Sequence, residues 1–344
     1  MSHYDDLEKK NIVKLRELIA ILPPFCKEYF RSIEPRTTSR TRISYAYDLK
    51  IFFNFLVKNN PTIEYKNITL ETLDMLTFQD IEEYMEYLKY YSDNDDREKL
   101  NSNVGIKRKI ASLRSFYKYF YNNDLIKNNP ASKVSLPKIR DKEIIRLEND
   151  EVSKLLDEVE DGKKLTKHEQ KYHDKNALRD EMLVSLLLGT GIRVSECVNI
   201  NLEDIDIENT CIKIKRKGGK EQFIYFSDEL AKLFTEYLKY RKTLNAATDD
   251  DAKALFLSMQ NKRISVRAVE ILVKKYAKSI TPLKHITPHK LRSTFGTNLY
   301  KETDDIYLVA SVLGHSDVNT TKKHYAAIEQ DQKRAARNKV LLRE

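Results

Sequence analysis

Four separated segments carry arginine, lysine, histidine and tyrosine in settings that could present them to a phosphodiester. In TGIRVSE, Gly191 and the nearby Gly189 bracket a turn, after which Arg193 begins a helix with Glu196 on nearly the same face. In KIKRKGGKEQFIYF, residues 213–226, Lys217 sits in the turn between two expected strands. In TPHKLRSTFGTNLY, residues 287–300, His289 and Arg292 are three positions apart, so a titratable ring and a planar guanidinium share a helical face. In LGHSDVNTTKKHYAAI, residues 313–328, Tyr325 follows His315 by ten residues.

Each signal is weak alone. An arginine after a glycine turn is usually a cap or a surface residue, and a lysine at a hairpin tip is usually solvated. Together the segments suit metal-free phosphoryl chemistry. Two guanidinium forks would neutralise charge gathering on the non-bridging oxygens, and two histidines would complete the cradle. The cationic pocket would favour the phenolate of a tyrosine whose ordinary pKa is ~10.

These groups must be positioned by helices and one small sheet. Before residue 140 the periodicity is helical nearly throughout. Residues 5–20 and 24–32 read as helices separated at Pro23 and Pro24. Thr37 and Thr38 precede a long helix with Ile43, Tyr47, Ile51 and Phe55 at i+4 spacing, and a third helical pattern spans about 78–92. A fourth carries the stripe Ile106, Ile110, Leu113, Phe116 and Phe120, with Lys107, Arg114 and Lys118 along another face. With Arg40, Arg42 and Lys220, these three are candidate phosphate contacts; the alternative is that they merely solvate their helices.

Residues 128–146 hold two prolines and a basic cluster and are expected to break the helical pattern. A new helix begins near Leu147 with Asn149 or Asp150 as its cap. Residues 161–175 read as a charged surface loop whose His168 and His173 are solvated rather than metal ligands. Ile205–Ile207, Cys211–Lys215 and Gln222–Phe226 alternate like strands. Helical patterns return at 228–241, 264–278 and in three stretches between Pro288 and Ile328. The fold class is therefore mainly α with one small antiparallel sheet.

The 344-residue chain has a net charge of +9, which suits a polyanionic partner. Cys26, Cys197 and Cys211 are odd in number and far apart, so they give no disulfide framework or zinc pattern, consistent with small buried hydrophobes in a reducing compartment. The first residues, MSHYDDLEKK, lack the pattern of a secretory signal, and no apolar run is long enough to span a bilayer; a cytoplasmic location without membrane contact is expected.

The ordered set Arg193, Lys217, His289 with Arg292, His315 and Tyr325 resembles the signature of the tyrosine recombinase, or phage integrase, family. The words TGIRVSE, RKGGKE, TPHKLRSTFGT and LGHSDVNTT resemble that family too. Within it the chain is most similar to the Xer group, and there to the single-protein XerS recombinases of Firmicutes. One departure is the ten-residue spacing of Tyr325 from His315, where many Xer proteins have nine and integrases of mobile elements also have ten.

The resemblance implies a helical, SAM-like core-binding domain at 1–135 with an added N-terminal helix, and a linker at 136–146. It implies a catalytic domain at 147–330 and a tail at 331–344 that contacts a neighbouring protomer. It implies DNA cleavage by Tyr325 through a 3′-phosphotyrosyl intermediate, with Lys217 protonating the departing 5′-oxygen, Glu196 in support, and no metal or other cofactor. The implied partners are double-stranded DNA with a specific recombination site and further copies of the chain, a dimer per site and a tetramer in the synapse. A septal DNA translocase is a candidate accessory protein. Chromosome dimer resolution is the implied role. The alternatives are integration or excision of a phage or mobile element, a type IB topoisomerase-like activity, and a non-catalytic DNA-binding regulator.

Overall fold

Proline cannot supply the N–H of a continuing helix, and the first helix ends just before Pro23 and Pro24. In the computed structural model, residues 3–60, 63–92, 97–139, 145–216, 219–314 and 318 are described. The chain divides into two units, Met1–Asp141 and Lys142–Glu344. Both are mainly helical.

The first unit runs α1 (His3–Ala20), α2 (Cys26–Ile33), α3 (Ser39–Asn59), α4 (Leu70–Met75) and α5 (Phe78–Lys89). It continues with the antiparallel strands β1 (Tyr90–Ser92) and β2 (Glu98–Leu100), then α6 (Asn103–Asn122) and α7 (Pro130–Lys133). The Thr38 hydroxyl caps α3 by accepting from the Thr41 N–H at 3.2 Å. Its buried face is Ala46, Leu49, Phe52, Phe53 and Leu56. The expected stripe is only partly right, because Tyr47 is exposed and Ile43 and Ile51 are half-buried. A strict i+4 row drifts about 40° per step around a helix of 3.6 residues per turn, so it leaves the core face within two turns.

On α6 the expected stripe is the core stripe: Ile106, Ile110, Leu113, Phe116 and Phe120 are all buried. Phe116 meets Tyr29 and Phe120 edge-on at 5.1 and 5.0 Å between ring centres. Two further expectations need correction. The helical pattern at 78–92 gives way to a strand at Tyr90, and the segment after residue 128 contains the single-turn α7, with Pro130 at its first position and Asn129 as its cap.

The second unit begins with α8 (Asn149–Asp161), α9 (Lys167–His173), α10 (Ala177–Thr190) and α11 (Val194–Cys197). A three-stranded antiparallel sheet follows in the order β3 (Ile205–Asp206), β4 (Cys211–Lys215), β5 (Glu221–Tyr225). Then come α12 (Asp228–Lys242), α13 (Asp249–Lys253), α14 (Val266–Ile280), α15 (Pro288–Thr303) and α16 (Ile306–Leu313). The cap of α8 is Glu148, which forms a reciprocal box with Glu151, rather than Asn149 or Asp150.

Residues 161–175 are not simply a surface loop. Thr166 and Glu169 form a capping box that starts α9, and its last residue, His173, is buried with Nε2 2.8 Å from the Val159 carbonyl. Gly162, in the left-handed region, makes room for that ring: a Cβ there would lie 2.7 Å from His173 Nδ1. His168 is exposed, and among the described residues no group of three or more His, Cys, Asp or Glu side chains is placed to hold a metal.

Helix α10 runs through the core of this unit, with Met182, Leu183, Val184, Leu186 and Leu187 fully buried among α8, α12 and α15. Its start is held by a buried polar cluster. Asp180 accepts from Arg179 Nη2 at 2.6 Å and from the Tyr276 hydroxyl of α14 at 2.8 Å. A fixed start and a buried body leave the C-terminal end of α10 as a rigid launching point for the turn at Gly191.

Candidate active site

Gly191 ends α10 with φ +62°, and a Cβ there would lie 2.3 Å from Phe295 Cδ1 and 3.0 Å from Leu313 Cδ2. Only glycine combines that backbone with so close an approach of α15 and α16. Gly189, by contrast, lies inside α10. The turn delivers Arg193 as the N-cap of α11. Its backbone N–H donates to Glu196 Oε2 at 2.8 Å, and its Nη1 donates to Oε1 at 2.7 Å. The Glu196 carboxylate is 5% exposed and the Arg193 side chain 41%, so the pair has a dry acceptor and a guanidinium that reaches solvent. Arg193 Nη2 also donates to the Gly314 carbonyl at 3.3 Å.

Arg292 lies in the second turn of α15 and is buried. Its Nη1 donates to the Gly191 carbonyl at 2.6 Å, and its Nη2 donates to the Leu313 carbonyl. His289, one turn earlier, is exposed. The shared helical face therefore runs from solvent at His289 to the interior at Arg292.

A third arginine joins them that the sequence did not single out. Arg216, just past β4, donates from Nη1 to the Leu313 carbonyl at 2.7 Å and from Nη2 to the Val312 carbonyl at 3.0 Å. Burial lowers its pKa from the ordinary value; Glu196 opposes that shift and the neighbouring charge of Arg193 adds to it. The last carbonyls of a helix have no partner within it and carry the negative end of its dipole, so the end of α16 is a natural seat for cations. Three guanidinium groups from three distant segments converge there, and the next residue in the chain is His315. Lys217, His315, Tyr325 and the tail 331–344 lie outside the described residues.

The candidate phosphate contacts fall into two groups. Arg40, Lys107, Lys118 and Lys220 are exposed, and Lys107 and Lys118, eleven residues apart on α6, lie within about 20° of one another around it. Arg42 and Arg114 are placed otherwise. Arg42 is buried and paired with Glu34 at 2.5 Å; Arg114 donates to the Ala131 carbonyl at 2.9 Å and the Val134 carbonyl at 2.5 Å. These guanidiniums tie their own unit together, a use of arginine that hydropathy alone does not separate from DNA contact.

The difference can be measured by following DNA affinity against salt. Lys118→Gln is expected to lower the slope of log affinity against log salt by ~1, with little change in melting temperature. Arg114→Gln is expected to lower the melting temperature and leave the slope nearly intact. A slope change as large for Arg114→Gln as for Lys118→Gln would contradict this division.

Comparison with known proteins gives consistent matches in both units. The phage integrase family profile matches residues 145–332, and the phage integrase SAM-like domain profile matches residues 22–136. A Der GTPase activator profile matches residues 84–200, which straddle the division between the units. The tyrosine recombinase XerC of Caldanaerobacter subterraneus subsp. tengcongensis is 35% identical over 329 residues, covering 92% of this chain and 86% of that one. The tyrosine recombinase XerS of Lactococcus lactis subsp. cremoris is 30% identical over 357 aligned positions, covering 95% and 97%.

Among solved structures, the XerH site-specific recombinase in a post-cleavage complex with a palindromic difH substrate aligns with a TM-score of 0.64. It is 21% identical, with 87% of this chain and 80% of that one covered. The Tn1549 transposon integrase in complex with circular intermediate DNA aligns with a TM-score of 0.62 at 23% identity, covering 87% and 94%. At these identities the two structures speak to the fold. No helix among the described residues is long and apolar enough to cross a membrane.

Proposed function

This chain belongs to the phage integrase family, and from that premise we propose that it is a site-specific tyrosine recombinase of the Xer type with Tyr325 as its nucleophile. The observation that carries the assignment of its site is the convergence of Arg193 and Arg292 on the turn that runs into His315. Family membership supplies the reaction class, and this convergence supports where the reaction takes place.

In the proposed reaction Arg193 and Arg292 hold the scissile phosphate, and their permanent charge stabilises the pentavalent transition state. His289 and His315 complete the cradle, one assisting the tyrosine proton and the other donating to a non-bridging oxygen. The Tyr325 oxygen attacks phosphorus, the bond to the 5′-oxygen breaks, and Lys217 gives that oxygen its proton. A 3′-phosphotyrosyl link results, which conserves the bond for rejoining by the 5′-hydroxyl of another strand. Glu196 orients Arg193 and takes no part in proton transfer. The scheme draws on side chains alone.

The substrate is double-stranded DNA with a specific recombination site. The chain acts as a dimer on each site and as a tetramer in the synapse, in the cytoplasm, and the proposed role is resolution of chromosome dimers. The XerC and XerS relatives match along nearly the whole chain and favour this role over integration of a mobile element.

The test uses the full chain and a duplex carrying a Xer recombination site, nicked near the expected cleavage position so that the short strand is lost after cutting. Protein is expected on the 3′-phosphate of the cut strand, with a free 5′-hydroxyl, and peptide mapping is expected to find the link on Tyr325 among the twenty tyrosines. Cutting without a covalent link, or a link at another residue, overturns the proposal. Recombinant products between two such sites exclude a topoisomerase as the main activity.

A further inference from the structure

Arg216 has no place in the scheme above, yet its setting is unusual. Its backbone N–H donates to the Lys220 carbonyl at 2.8 Å, and its carbonyl accepts from the Gly219 N–H at 3.0 Å, which closes the tip of the β4–β5 hairpin upon itself. Among the described residues, the hydrogen bonds from this end of the hairpin to α16 come from the Arg216 guanidinium, to the Val312 and Leu313 carbonyls. Gly314 makes the approach possible. Its φ is +61°, and a Cβ there would lie 1.0 Å from Arg216 Nη1, so the guanidinium occupies the space that any side chain would need.

Arg216 Nε is buried and has no hydrogen-bond partner among the described residues. An arginine at a hairpin tip could turn to water and avoid that cost. Here the guanidinium is instead held at the helix end, and an unsatisfied buried donor asks for a reason other than stability.

We propose that Arg216 is a positioning residue for strand cleavage: it fastens the end of β4 to the end of α16, and in the sequence Lys217 directly follows Arg216 while His315 directly follows Gly314. This rests on the assignment of Lys217 as the proton donor to the 5′-oxygen. In that step the P–O5′ bond breaks, the electron pair stays on oxygen, and the Lys217 ammonium becomes a neutral amine. Arg216 touches neither phosphorus nor the leaving oxygen. Its effect is confined to how well the donor is aimed.

The confinement is testable with a nicked duplex whose 5′-bridging oxygen is replaced by sulfur, since a thiolate leaves without needing a proton. Arg216→Met keeps the aliphatic stem and removes the fastening. It is expected to cleave the oxygen substrate ~10²-fold more slowly than wild type, a typical contribution of a placed acid, and the sulfur substrate at nearly the wild-type rate. Lys217→Ala should show the same rescue, and Arg193→Ala, which loses charge stabilisation instead, should be slow on both.

If Lys217→Ala is rescued by sulfur but Arg216→Met is equally slow on both substrates, Arg216 is structural only and the proposal is overturned. It is also overturned if Arg216→Met cleaves the oxygen substrate at the wild-type rate. If Lys217→Ala is not rescued, the assignment of the proton donor has failed instead. Should Arg216→Met not fold, Arg216→Lys supports the same comparison, because its ammonium reaches one carbonyl rather than two; a smaller, oxygen-specific loss is expected.

Discussion

Tyr325→Phe is expected to bind a cognate duplex as tightly as wild type and to form no covalent adduct with it. The substitution removes one oxygen, the only atom the proposed mechanism takes from that side chain, and leaves an aromatic ring of nearly the same shape. Affinity for DNA comes mostly from cations that neutralise phosphates, of which the chain has many, so the loss of a phenol should leave it unchanged. Chemistry has no such redundancy. A nucleophile with an ordinary pKa of ~10 must be drawn toward its phenolate by a particular cationic pocket, and a second tyrosine elsewhere cannot substitute for it.

The measurement is a denaturing gel of the nicked-duplex reaction beside an equilibrium binding curve. A persistent adduct would refute Tyr325 as nucleophile and turn attention to His324 and Tyr300. Tyr300 would be a poor substitute, because it is buried on α15 in a small cluster with Val309 and Leu313.

Arg292→Lys should be damaging in two ways at once. Arg292 is 4% exposed, and its two terminal nitrogens bond carbonyls on different segments, Gly191 and Leu313. An ammonium is a single point donor and cannot span both. The Leu313 carbonyl keeps its bond from Arg216, so an ammonium that stays at the helix end leaves the Gly191 carbonyl unsatisfied at a cost of ~1–3 kcal/mol, which in a unit of this size lowers the melting temperature by roughly 2–12 °C. The same loss loosens the turn that presents Arg193. In the proposed mechanism the planar fork is also lost from the phosphate, and cleavage is expected to fall by at least ~10²-fold.

Arg193→Lys separates the two effects. Arg193 is much more exposed than Arg292, so its replacement should reduce cleavage with little change in melting temperature. Thermal denaturation beside single-turnover cleavage measures both. Cleavage by Arg292→Lys at the wild-type rate would remove Arg292 from the site.

Much of this was legible in the sequence because it depends on local order. The strand–turn–strand at 211–225, the capping threonine before α3, the apolar stripe of α6 and the glycine turn ahead of Arg193 follow from propensity and spacing over a few residues. The order Arg193, Lys217, His289, Arg292, His315, Tyr325 is likewise a property of the chain as written. It carries the resemblance to a family that the comparisons then establish.

Periodicity says that a helix has an apolar face without saying where that face lies when several apolar residues compete. The core of α3 therefore fell on Ala46, Leu49 and Phe53 rather than on the row through Tyr47. Charged stretches are read as solvated by default, and so α9 and the buried His173 went unseen until packing against Val159 and Gly162 placed them. Arg42, Arg114, Lys107 and Lys118 are alike in composition, and only the acceptors around them separate the inward pair from the outward one.

By itself the sequence determined the class of chemistry, because that requires particular side chains in a particular order. The tertiary structure decided what holds them. Arg193 finds its acceptor 121 residues away at Gly314, Arg216 finds one 97 residues away at Leu313, and Arg292 joins Gly191 to the same helix end. A backbone carbonyl has no identity in a sequence, since every residue supplies one. Which carbonyls are left without a helical partner, and which cations reach them, is settled only when α10, α15 and α16 have packed.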